Sequence, residues 1–174
     1  MSRAVYVYFL IGYLFILLQT SLLPVLLPFN LEPDLLLILV VYVGLLENYI
    51  RGSLLTFTLG CLFDVFAGHY LGLHGFVLLV IFLLVRGTVD RFNTENSLLL
   101  LLMVFAGTFI EGGLLVFSLK FFAHAGPVGS LILWRLLPQA ILNFVATWLL
   151  LSGVLWIQKR FFPRESIPGL QKLR

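Results

Sequence analysis

The chain has 174 residues, 61% of them hydrophobic and 11% charged, against about 45–50% apolar and about 25% charged in an ordinary soluble domain. Seventeen Phe and a mean hydropathy of +1.09 give more apolar surface than a core of this size encloses, so lipid must solvate the rest and a soluble globular protein is excluded. At about 20 residues per crossing the length allows roughly six membrane spans and leaves no room for a soluble enzyme domain. A net charge of +3 builds no nucleic-acid surface.

The first apolar run, about residues 4–27, follows Arg3 and is not closed by an A-x-A-like cleavage site, so it reads as a retained first helix. Pro24 and Pro28 end it, because proline lacks the helical N–H. A turn from Pro28 to Pro33 follows, and Asp34 is the expected N-cap of the second span. The second, third and fourth spans are expected at 34–49, 53–68 and 71–87. Their apolar centres are Asp34–Leu46, Ser53–Phe66 and Leu73–Val85. These are short, and runs of that length also suit re-entrant or interfacial segments. The fifth (97–122) and sixth (134–157) are full length, with Trp134 and Trp156 at the two interfaces of the last. A basic tail, 158–174, carries five of the eleven Lys and Arg residues. Such a tail suits the anionic cytoplasmic leaflet or serves as a stop-transfer flank.

With six crossings both termini lie on one side, together with Arg3, Arg51, Arg86, Arg91 and the tail, nine of the eleven basic residues; only Lys120 and Arg135 fall opposite. The positive-inside bias then makes both termini cytoplasmic. Each span must satisfy its own backbone hydrogen bonds in lipid. Runs such as Leu98–Leu102 lack the alternation of a barrel strand. The expected fold is an all-α, multi-pass helical bundle forming one domain, residues 1–157, with the tail appended.

Two sets of residues stand out. In the third span Gly52, Thr56, Gly60, Asp64 and Gly68 recur every four positions and share one helical face. Small residues on such a face let another helix approach closely, either within the bundle or from a partner. The glycine-rich turn after it, with Gly72 and His74, extends the candidate partner interface, and Asp64 is placed to cap or clamp that turn. In the fifth span Glu111 sits near the middle of the membrane, where a carboxyl needs a partner. Arg135, Gln139, Asn143 and Thr147 form a second four-residue stripe that it is expected to face. That cluster suits interhelical hydrogen bonding or the lining of a small-molecule cavity or proton path, and Pro138 is expected to kink the helix beside it. Cys61 has no disulfide partner. His69, His74 and His124 lack metal-ligand spacing. No nucleophile elbow or carboxylate dyad is present, so neither an enzyme nor a metal or cofactor site is expected.

Gln19-Thr20-Ser21-Leu22-Leu23-Pro24, Pro33-Asp34-Leu35-Leu36-Leu37 and Gly60-Cys61-Leu62-Phe63-Asp64-Val65-Phe66-Ala67-Gly68, followed by Leu71-Gly72-Leu73-His74, resemble in this order the rod shape-determining protein MreD family. The motifs cover residues 19–75; the remainder matches in length and hydropathy. The resemblance implies a non-enzymatic component of the bacterial inner membrane in the cell-wall elongation machinery. It would bind MreC, a single-span protein with a periplasmic domain, and so be linked to MreB filaments, to RodA and to a class B penicillin-binding protein. It also implies a fold similar to the substrate-binding membrane subunits of energy-coupling-factor vitamin transporters. Two functions therefore stand side by side: an interaction protein using the Gly52–Gly68 face, and a small-molecule-binding transport subunit using Glu111, Arg135, Gln139 and Asn143.

Overall fold

The structure, a computed structural model, describes residues 3–26, 33–67, 70–89, 97–122 and 128–161. Among them every regular element is helical. Helix α1 (Arg3–Leu17) runs through one π-helical stretch (Leu18–Leu22) into α2 (Leu23–Leu26). The wider turn has a local cause. Pro24 cannot donate to the Thr20 carbonyl, and the backbone loosens just before it, with Leu23 N–H donating to the Leu18 carbonyl. Such bulges re-aim side chains, and this one carries Gln19. The expected turn from Pro28 lies outside the described residues except for Pro33, which precedes α3.

Helix α3 (Leu35–Leu46) is the centre of the molecule. Nine of its twelve residues are buried, and it touches α1 and all four later helices. Its sequence, Leu-Leu-Leu-Ile-Leu-Val-Val-Tyr-Val-Gly-Leu-Leu, is apolar all round, as a helix enclosed on every side must be. At about 1.5 Å per residue it is about 18 Å long, well short of a hydrocarbon layer of about 30 Å.

Around it pack α4 (Tyr49–Ala67) with α5 (Leu73–Val89), and α6 (Ser97–Phe122) with α7 (Val128–Phe161), each pair forming a close neighbour contact. Several helix ends differ from the expected span limits. Helix α4 begins at Tyr49 rather than Ser53. Helix α7 begins at Val128 rather than Trp134, and it continues as one helix through Pro138. Helix α3 stops at Leu46, where Glu47 turns to extended backbone. Three stretches, Val5–Val25, Tyr49–Ala67 and Leu99–Ser118, are long and apolar enough to cross a membrane. Leu35–Leu46, Leu73–Val89 and Leu136–Ser152 are shorter apolar helices.

The distribution of polarity is that of a lipid-solvated bundle. Val25 and Ile50 are more than four-fifths exposed and Leu10, Leu54 and Leu71 more than three-fifths, while Gln19, Thr56, Asp64, Thr108, Glu111, Ser118, Asn143 and Thr147 are buried. In water both halves of this arrangement would be unfavourable. In lipid the apolar surface costs nothing, and the buried polar groups need only partners.

Candidate functional site

The first turn of α3 is partly buried, and its leading N–H groups have no partner within the helix. Three side chains meet there, the cap residue itself and two from distant parts of the chain. Asp34 accepts the N–H of Leu37 at 2.9 Å. Gln19 Oε1 accepts the N–H of Leu36 at 3.2 Å, while its Nε2 donates to Asp34 Oδ1 at 3.2 Å and to the Pro33 carbonyl at 3.5 Å. Asn143 Oδ1 accepts the N–H of Asp34 at 2.6 Å. The expected N-cap is thus present, with two further acceptors beside it.

The network then runs into the last two helices. Asn143 Nδ2 donates to Thr108 Oγ1 at 2.9 Å, Thr108 Oγ1 donates to the Val104 carbonyl at 3.0 Å, and Thr147 Oγ1 donates to the Asn143 carbonyl at 2.6 Å. Glu111 is 6% exposed and its carboxyl lies close to that of Asp34. Of the expected polar cluster, Glu111, Asn143 and Thr147 are therefore buried in one region. Gln139 is half-buried, and the side chain of Arg135 lies outside the described residues. Glu111 meets Asp34 of α3's first turn, a partner that the four-residue stripe on α7 does not reveal. Gln19, Asp34 and Thr108 complete the network. The signal for Gln19 and Asp34 was their place in the first two family-like motifs, which here prove to touch one another.

One consequence is measurable. Asn143→Leu keeps the branched shape of the side chain but leaves the Asp34 N–H without its acceptor and removes the amide donor to Thr108. A loss of about 1–3 kcal/mol is expected for such a buried group, read as a lower unfolding midpoint in detergent; an unchanged midpoint would contradict the network.

The second candidate region is the α4–α5 pair. Gly52, Thr56, Gly60 and Asp64 are all buried, and the close approach they permit is taken up by α5 of the same chain. A Cβ on Gly52 would overlap the ring of Phe82, and one on Gly60 would lie 2.6 Å from the Gly75 Cα and 2.7 Å from its N. The row expected as a partner face is to that extent the seam of the fold. At its end the Asp64 carboxylate accepts the N–H of His74 at 3.2 and 3.1 Å and pairs with His74 Nδ1 at 2.6 Å. It thereby caps the first turn of α5 from the last turn of α4, as a clamp. The edge of the His74 ring meets Phe63, with centroids 4.9 Å apart. Gly72, at φ +86°, makes the turn that a residue with a Cβ rarely adopts. Gly68, His69 and His124 lie outside the described residues, and among those described no group of three His, Cys, Asp or Glu could hold a metal ion.

A family model described as rod shape-determining protein MreD matches residues 2–161. No curated protein and no solved structure matches.

Proposed function

The chain belongs to the rod shape-determining protein MreD family, a membrane family with a role in rod-shape determination, and from that premise we propose that it is a non-enzymatic scaffold of the cell-wall elongation machinery. In this reading it sits in the bacterial inner membrane with six spans and both termini in the cytoplasm. It binds an MreC-like single-span protein, and through it helps couple MreB filaments to RodA and a class B penicillin-binding protein. The observation that carries the reading is the family match over nearly the whole chain. The structure is compatible with it: the polar groups described above bond to one another and to the chain's own backbone, as a scaffold requires.

The family match does not favour the transport-subunit reading, and Asn143 is taken up by the first turn of α3. Of the expected partner interface, Gly72 stays at the surface beside Tyr70 and Leu71, which are 65% and 76% exposed; we place the first partner contact on this turn.

The experiment is affinity purification of the tagged protein from its native membranes in mild detergent, with mass spectrometry of what is retained. Recovery of a single-span MreC-like protein together with wall synthases is the expected outcome. Recovery of ATPase subunits with a coupling membrane protein would replace the scaffold by a transport subunit.

A further inference from the structure

We draw no further inference here: the strongest candidate, the exposed surface patch between α1 and α4 where the Tyr13 and Phe66 rings meet edge to face, is an apolar face and nothing in the structure shows what covers it.

Discussion

Placing a single methyl group on Gly60 breaks the α4–α5 pair. Gly60→Ala puts a carbon 2.6 Å from the Gly75 Cα, 2.7 Å from its N and 2.9 Å from the His74 carbonyl carbon. All three are backbone atoms, which no side-chain rotation can move aside. The helices must separate, and separation pulls the Asp64 carboxylate off the first turn of α5. The expected cost is about 3 kcal/mol, at the upper end for overpacking, and greater for Gly60→Leu. Gly113→Ala supplies the control, since nothing lies within 4 Å of its Cβ position; there alanine should be neutral or stabilise by up to about 1 kcal/mol through helix propensity. Thermal unfolding of the three purified proteins in one detergent decides the matter, and equal midpoints for Gly60→Ala and Gly113→Ala would refute the seam. Because the seam is internal, loss of MreC-like protein from a Gly60 variant reports a damaged bundle rather than a lost contact, and the partner surface has to be mapped by other positions.

The second large effect is at Asp34. Asp34→Ala removes the acceptor for the Leu37 N–H and for Gln19, and takes away the carboxyl beside Glu111. A lost cap is worth about 1–2 kcal/mol and a buried donor without its partner about 1–3 more, so a destabilisation of about 2–5 kcal/mol is expected. Asp34→Asn keeps an acceptor oxygen for Leu37 and should recover most of it. Unfolding midpoints of the two variants, with and without Glu111→Gln, measure the coupling between the carboxyls. If Asp34→Ala and Asp34→Asn unfold alike, the capping role is wrong and only the missing charge matters.

These two sites show what could be read from the residues alone. The helical class, the lipid solvation and the cap at Asp34 were legible because each is a local rule: apolar length, charge scarcity, and a short acceptor ahead of an apolar run. The four-residue row from Gly52 to Asp64 was equally legible as a close-packing face, but not what fills it. Small residues specify only that something comes near, and the answer, Gly75 and Phe82, lies on the next helix. The partner of Glu111 was hidden for a different reason. A stripe on α7 pointed to a neighbour on α6, and Asn143 of that stripe is in the same network, but Asp34, which also lies close to Glu111, is on neither helix. It reaches them because the first turn of α3 packs against α7 through Asn143. The π-helical turn at Gln19 was likewise invisible as geometry, although Pro24 just after it is its physical cause.

The reach of the bond from Asp34 to Asn143, 109 residues apart, bears on how the chain is made. Synthesis proceeds from the N-terminus, so α3 emerges long before the helix that completes its first turn. Until α7 arrives, the Asp34 N–H lacks its acceptor within the membrane. The first turn of α3 therefore gains its full set of acceptors only once α7 is in place, and a chain cut short before Asn143 leaves that set incomplete.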